Sequence, residues 1–151
     1  MRRREREITD RAAIDGIIAR CSVCRLALCE NGQPYVLPLN FGYDGIYLYF
    51  HSAPAGRKID IIRANNRVAF EFDILHEVVT AKNPCEWGAR YESVVGTGTA
   101  EFIESPREKA SALAFILKQY GGSFGEFEDK AVSSVAVFRV AVVSISGKEK
   151  R

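Results

Sequence analysis

Short apolar runs separated by turn-forming dipeptides dominate the first third of the chain. Asn31-Gly32 and Asp44-Gly45 separate the first three runs, and both dipeptides favour positive φ. The pattern therefore predicts a three-stranded meander, followed by three longer strands. The six predicted strands cover residues 23–29, 35–41, 46–50, 67–80, 91–104 and 134–147.

Three short helices accompany these strands. Thr9 or Asp10 caps the first helix, and the second is predicted over 57–64. The third begins after Ser105 with a capping box and a proline, and runs to about residue 120. Strands in local antiparallel connection with few helices indicate a mainly β fold, a six-stranded antiparallel barrel with peripheral helices. We expect one domain over 1–151 whose first eight residues are flexible.

Three residues interrupt the predicted strands. Pro38 lies inside the second run, and because proline has no N–H to donate, that strand should contain an unpaired segment, a bulge or an edge. An unpaired backbone stretch that faces a cavity could contact a ligand. Gly96 and Gly98 lie in the long fifth strand and predict strong bending or a close backbone approach there.

Composition narrows the possible partners. The chain is 47% hydrophobic and 26% charged, with a net charge of +2, which is typical of a globular protein. The charge is too small to indicate a nucleic-acid partner, and the arginine-rich start is interrupted by Glu5 and Glu7. No apolar run approaches the roughly 20 residues of a membrane span, and none follows the basic start as an export signal requires. We expect a cytoplasmic protein with no nucleic-acid or membrane partner.

The cysteines do not form a metal-binding pattern. Cys21, Cys24, Cys29 and Cys85 are interpreted as reduced thiols, because no export signal precedes them. Cys21-x-x-Cys24 would supply half of a zinc site, but the second pair of ligands is missing. We therefore expect no metal.

A candidate anion site lies in the stretch YFHSAPAGRK. Arg57 and Lys58 follow Gly56 at the start of the second predicted helix, where unsatisfied N–H groups and a partial positive charge favour an anion. Gly56 allows close backbone approach, and Ser52 offers a hydroxyl. Arginine forks onto phosphate and lysine adds a point charge. The alternative is that Arg57 and Lys58 are ordinary surface cations.

Several segments together resemble a known family. The segments CRLAL, QPYVLPLNFGYDGIYLYFHSAPAGRKIDIIRANNRVAFEF and CEWGARYESVVGTGTAEFIE occur in this order. They resemble the pyridoxamine 5′-phosphate oxidase-related flavin-binding proteins, and within them the branch that contains the 5-nitroimidazole resistance proteins. The resemblance implies a split β-barrel and a homodimer with FMN at the subunit interface.

The resemblance also assigns residues to the cofactor. Arg57 and Lys58 match the positions that hold the flavin phosphate, and Ser52 and Ala53 match the loop beside it. The segment Pro38, Leu39, Asn40, Phe41 matches the strand whose backbone runs along the flavin ring. Ser93 and Val94 match a segment near the phosphate and ring.

Three further side chains have two interpretations each. His51 is either a catalytic proton donor that faces the cofactor, as the resemblance implies, or a structural histidine bonded to backbone. Trp87 either stacks on a flavin, reaching across the dimer, or packs in a core or interface. Arg90 pairs either with the phosphate or with Glu86 or Glu92.

Two functions follow from these residues. The first is an FMN-dependent oxidoreductase that acts on a small molecule of the nitroimidazole type, with the flavin supplying the electron chemistry. The second is a flavin-binding or flavin-sensing protein without turnover, which the lack of an unambiguous acid, base or nucleophile favours. A split-barrel protein that uses haem or deazaflavin is a third possibility.

Overall fold

The computed structural model describes residues 3–123 and 128–151, and these form eight strands, four α-helices and two three-residue 3-10 helices, Arg4–Arg6 and Pro84–Glu86. The strands are β1 (Glu7–Ile8), β2 (Cys24–Glu30), β3 (Gln33–Leu39), β4 (Gly42–Tyr43), β5 (Tyr47–Ser52), β6 (Arg67–Val79), β7 (Gly88–Ile103) and β8 (Ala136–Lys150). The helices are α1 (Arg11–Arg20), α2 (Arg57–Ala64), α3 (Pro106–Gln119) and α4 (Asp129–Ser133).

All strands join one antiparallel sheet. The pairing path runs β3-β2-β6-β7-β8-β5-β4, and β1 pairs with β8. Six strands have six or more residues and correspond to the six predicted ones, whereas β1 and β4 are two-residue strands that the pattern did not predict. Over the described residues the path ends at β3 and β4, so closure into a barrel stays a prediction.

The predicted meander forms only in part. Asn31 and Gly32 have φ angles of 50° and 84°, and they connect the paired strands β2 and β3. The turn at Asp44-Gly45 connects β4 to β5, and β5 then pairs with β8 instead of β3. The meander prediction was therefore wrong in its second half. An apolar run predicts a strand but not its partner.

Pro38 lies on an edge strand, as predicted. It is in register with Arg25 of β2, and β3 is the terminal strand of the pairing path. After Leu39 the chain leaves this edge through Asn40 and Phe41 and enters β4 at the opposite end of the path. The proline-containing strand thus has one side that no other described strand pairs with.

The core lies between the sheet and the first two helices. Five phenylalanines are fully buried there, and each contributes about 1.5–3 kcal/mol by leaving water. Helix α2 packs onto this core through Ile61 and Ile62, with Ile59 also buried. These contacts fix the position of the helix start. The five buried rings are Phe41, Phe50, Phe70, Phe72 and Phe138.

The helix ends agree only in part with the capping signals. Asp10 caps α1, and its carboxylate accepts hydrogen bonds from the N–H groups of Ala12 and Ala13. Ser105 occupies the N-cap position of α3 but makes no side-chain capping hydrogen bond, so the predicted capping box does not form. Among the helices of the described residues, none has the length and apolarity to cross a membrane.

Candidate functional site

The start of α2 has the backbone geometry of an anion site. Gly56 is the N-cap residue, with a φ of 124° that L side chains rarely adopt, and no side chain caps the helix. The N–H groups of Ile59 and Asp60 donate to the Gly56 carbonyl. The earlier N–H groups of the first turn have no side-chain acceptor and remain available to an anion.

Lys58 adds a positive charge to this helix start. Its side chain is half-buried, and burial lowers the pKa of the ammonium group below its ordinary value. No carboxylate of the described residues lies within 4.0 Å of it. A partly desolvated cation without a counter-ion favours the approach of an anionic ligand.

His51 lies beside Lys58. It is the penultimate residue of β5 and pairs with Val137 of β8. Partial burial, and then the positive charge of Lys58, lower the pKa of the imidazole below its ordinary value. This lowered pKa favours the neutral form of the imidazole at neutral pH. The side chain is nevertheless accessible to solvent, so a substrate could reach it.

Arg57 is paired within the chain. Its Nε and Nη2 both donate to Oε2 of Glu30, at 3.2 Å and 3.1 Å, and its guanidinium lies 4.6 Å from the ring centre of Tyr35. The Arg57 and Glu30 side chains are 53% and 41% exposed, and such exposed pairs contribute roughly 0–1 kcal/mol. Glu30 and Tyr35 have no local sequence signal that links them to Arg57.

The loop before α2 contributes less than expected. The Ser52 hydroxyl is buried and donates to the carbonyl of Ala53 at 2.9 Å, so it is turned toward its own backbone. Ala53 itself is exposed. The predicted hydroxyl donor is thus already engaged in the structure, although its oxygen can still accept a hydrogen bond.

The segment from Pro38 to Phe41, at the end of β3, presents its backbone and the side chains of Pro38 and Asn40 to solvent. Pro38 and Asn40 are exposed, and Leu39 is half-buried. Phe41 is fully buried in the core, and its N–H donates to the hydroxyl of Tyr120 at 3.1 Å. Its side chain therefore cannot line a ligand cavity.

The edge of β3 and the start of α2 are close to each other. Tyr35 belongs to β3, and Arg57 is the first residue of α2, so their contact places the helix start against the terminal strand of the sheet. His51 and Lys58 lie at the same helix start. The structure thus brings together the edge of β3 and the cationic turn in one chain.

A second group of predicted residues lies on β7 and directly before it. Trp87 is 55% exposed, and its indole N–H donates to the carbonyl of Ala81. Arg90 pairs with Glu77 at 3.4 Å, so the predicted alternatives Glu86 and Glu92 are both wrong. The sequence missed this pair because strand register, not sequence distance, brings position 77 opposite 90.

Ser93 and Val94 point to opposite faces of β7. Val94 is fully buried in the core, and Ser93 is half-buried in register with Asp73 and Lys148. Only the backbone of Val94 could contact a ligand. That this segment lies near the phosphate and ring stays a prediction, and the alternation of the strand allows only one of the two side chains to face such a site.

The second group lies far from the helix start within one chain. Val137 of β8 pairs with both His51 and Ile103, so His51 lies level with the end of β7. Val94 precedes Ile103 by nine residues, which corresponds to roughly 30 Å along an extended strand. The structure does not bring the two groups together in a single chain.

Small and apolar residues form one row across the outer face of the sheet. Val36, Val95 and Val143 are 59%, 51% and 73% exposed. The row crosses five strands and contains only small or apolar residues. Two clefts share Cys29, Asn65 and Arg67 as lining residues, and one of them extends to Val143 of this face while the other extends to Glu30 at the end of β2. The row consists of Val36, Ala27, Ala69, Thr97 and Ser144.

Two comparisons of sequence place the chain among known proteins. The family model of pyridoxamine 5′-phosphate oxidase matches residues 10–149. The uncharacterized protein RA0666 of Rhizobium meliloti (strain 1021) is 36% identical over 64 residues. These residues are 42% of this chain and also 42% of that relative, so the match spans less than half of either protein.

Two solved structures are similar over nearly the whole chain. A candidate 5-nitroimidazole antibiotic resistance protein from Bacteroides thetaiotaomicron VPI-5482 is 37% identical, with a TM-score of 0.85 over 94% of this chain and 85% of that one. A FAD-binding protein from Mesorhizobium loti is 27% identical, with a TM-score of 0.70 over 97% and 98% of the two chains. The predicted fold class, a mainly β antiparallel fold of the split-barrel type with a few helices, is confirmed, whereas closure into a six-stranded barrel stays a prediction.

Proposed function

The chain belongs to the pyridoxamine 5′-phosphate oxidase family, and from that membership we propose that it is a homodimeric FMN-binding oxidoreductase that acts on a small molecule of the nitroimidazole type. The observation that carries the proposal is the start of α2. There, uncapped N–H groups and the unpaired, partly desolvated Lys58 adjoin each other. This combination suits a phosphate monoester, because both the helix terminus and the ammonium favour negative charge.

The flavin ring is assigned to the edge of β3. The chain leaves this edge through Pro38, Leu39, Asn40 and Phe41. The contact between Arg57 and Tyr35 supports a position of the edge next to the proposed phosphate site. Backbone groups on an unpaired strand edge can hydrogen-bond the polar rim of a flavin ring. The FAD-binding protein from Mesorhizobium loti, at 27% identity, supports a flavin as the ligand class.

A dimer would complete the site. The row of small and apolar residues on the outer face of the sheet suits a self-complementary interface. In the same chain Val94 lies nine residues, or roughly 30 Å along β7, from the level of His51, and Arg90 and Trp87 lie further from that level. Twofold symmetry would bring one chain's Trp87 and Arg90 to the other chain's helix start, and an exposed tryptophan is a residue that interfaces favour.

His51 is proposed as the catalytic proton donor. When bound, the flavin supplies the electrons that a nitro group accepts, and proton uptake must accompany that reduction. His51 is accessible, lies next to the phosphate site and titrates below the ordinary pKa of histidine because of burial and Lys58. It can therefore bring a proton to the substrate at mildly acidic pH.

A flavin-binding protein without turnover is the second candidate. One observation favours it: among the described residues, His51 makes no side-chain hydrogen bond that would orient it. General acids are commonly oriented by a second group. A protein that only stores or senses flavin would not need such an orienting partner.

The test begins with the absorption spectrum of the purified protein and identification of the released ligand by mass spectrometry. We expect a flavin spectrum, FMN as the ligand and a dimer by light scattering. Bleaching by NADH or NADPH, followed by recovery with a nitroimidazole, would support the oxidoreductase, whereas binding without recovery would support the second candidate. Haem absorption, or a monomer that binds no flavin, would contradict both.

A further inference from the structure

Two side chains hold the guanidinium of Arg57. Glu30 accepts from Nε and Nη2 through one oxygen, at 3.2 Å and 3.1 Å, and so occupies one edge of the guanidinium. Tyr35 covers a face of the group, with 4.6 Å between the guanidinium carbon and the ring centre. Both residues belong to the β2–β3 hairpin, whereas Arg57 begins α2.

One edge of the guanidinium remains open. Arginine has five N–H donors in a planar fork, and the contact with Glu30 engages those on the Nε side. The edge formed by Nη1 and Nη2 remains able to form the paired hydrogen bonds that phosphate accepts. Lys58 has no comparable support among the described residues. The two cations of the helix start therefore differ. Arg57 is held in one orientation, whereas Lys58 contributes mainly its charge.

We propose that Tyr35 and Glu30 are positioning residues that hold Arg57 so that its open edge faces the phosphate of the ligand. The inference rests on the proposed function, because it assumes a phosphorylated ligand at α2. A long arginine side chain loses rotamer freedom when it binds, and holding it beforehand removes part of that cost. Tyr35 and Glu30 thus contribute to ligand affinity through Arg57, without contacting the ligand themselves.

The decisive comparison uses FMN and riboflavin, which differ only in the phosphate. Dissociation constants are measured by quenching of flavin fluorescence for Tyr35→Leu and Tyr35→Phe. We expect Tyr35→Leu to weaken FMN binding about threefold to tenfold, the magnitude of a lost cation–π contact. Riboflavin affinity should not change, and Tyr35→Phe should retain wild-type FMN affinity because it keeps the ring.

Glu30→Gln provides a second variant, on an exposed hairpin where misfolding is not a concern. We expect it to weaken FMN binding, because a neutral amide holds the guanidinium less firmly than a carboxylate. Tighter FMN binding would mean that Glu30 competes with the phosphate, and would overturn its positioning role. Glu101→Gln, which removes a similarly exposed partner from Arg139 outside the site, is the matched control.

A double-mutant cycle separates positioning from general structure. In an Arg57→Ala background, Tyr35→Leu should cause no further loss of FMN affinity. Two results would overturn the inference while the proposed function stands. One is an equal loss of FMN and riboflavin affinity in Tyr35→Leu, and the other is a loss of FMN affinity by Tyr35→Leu that is as large in the Arg57→Ala background as in the wild type. A wild-type protein that binds neither flavin would overturn the proposed function, and the inference with it.

Discussion

Burial lowers the pKa of His51, and the positive charge of Lys58, seven positions later in the sequence, lowers it further. Lys58 is the second residue of α2 and His51 lies near the end of β5, so the loop between them folds back to bring the two groups together. An anion bound at Lys58 would neutralise this influence. Ligand phosphate and the protonation of His51 are therefore expected to be linked.

The first prediction follows from this linkage. Binding of FMN should raise the pKa of His51 toward its ordinary value, because the phosphate offsets the charge of Lys58. Riboflavin, which lacks the phosphate, should raise it less. NMR titration of the imidazole Cε1–H resonance measures the effect directly, and the chain has only two histidines to assign.

Riboflavin is the matched control for that titration, because it differs from FMN only in the missing phosphate. If FMN and riboflavin shift His51 equally, the phosphate is not near Lys58.

The second prediction concerns the pH dependence of FMN affinity. Burial lowers the pKa of Lys58, so the ammonium loses its proton at a lower pH than an ordinary lysine does. Only the protonated form attracts phosphate, and FMN affinity should therefore fall as the pH rises through this lowered pKa. Isothermal titration between about pH 7 and pH 10.5 spans the window.

Lys58→Arg and Lys58→Met separate charge from the other effects of pH. The arginine variant should flatten the alkaline decline, because arginine stays protonated throughout. The methionine variant should lose roughly tenfold or more in affinity at pH 7, since a charged hydrogen bond contributes about 1.5–3 kcal/mol. A decline that persists unchanged in both variants would assign the titration to another group.

The sequence could predict elements, but not the partners that meet across the sheet. The second helix was predicted over the residues that α2 occupies, because a glycine, two cations and the spaced isoleucines are local signals. The pair formed by Arg57 and Glu30 joins residues 27 positions apart, and no local signal reports it. The pair formed by Arg90 and Glu77 was missed for the same reason, since only the register of β6 and β7 creates it.

The third prediction tests the close approach at Gly96. A Cβ added there would lie 2.2 Å from the ring of Phe70 and 2.5 Å from the carbonyl oxygen of Ser144. Gly96→Ala should lower the free energy of unfolding by about 1–3 kcal/mol, measured by urea denaturation, because the core must shift. Gly16→Ala is the control. A Cβ added to Gly16 in α1 would lie more than 4 Å from every atom outside the adjacent residues and the helix's own backbone, and alanine there should stabilise the protein by up to about 1 kcal/mol.

The fourth prediction concerns the hydroxyl of Tyr120. It donates to the carbonyl of Ser22 at 2.7 Å and accepts from the N–H of Phe41 at 3.1 Å. Tyr120→Phe leaves that N–H without its partner and should cost about 1–3 kcal/mol of unfolding free energy. Because the segment after β3 loses an anchor, FMN affinity should fall as well. Tyr47→Phe removes a hydroxyl that bonds to no described residue, and should change neither quantity.

The fifth prediction tests whether the flavin site is shared between two chains. The helix start and Trp87 lie at opposite ends of β7 and β8 in one chain. In a shared site, a chain with Lys58→Met and a chain with Trp87→Ala should complement each other. Each heterodimer then contains one intact site and one site with both changes. Random pairing would restore about a quarter of all sites to wild-type affinity.

Complementation requires that each variant alone binds FMN weakly and that both form dimers, which light scattering verifies. The two chains are co-expressed with different affinity tags, and heterodimers are isolated through both tags before titration. We expect one tight FMN per purified heterodimer, because the symmetry of the dimer pairs the two unchanged residues at one site only. If each site lies within a single chain, every site carries one change and no tight site appears, so the titration decides between the two arrangements.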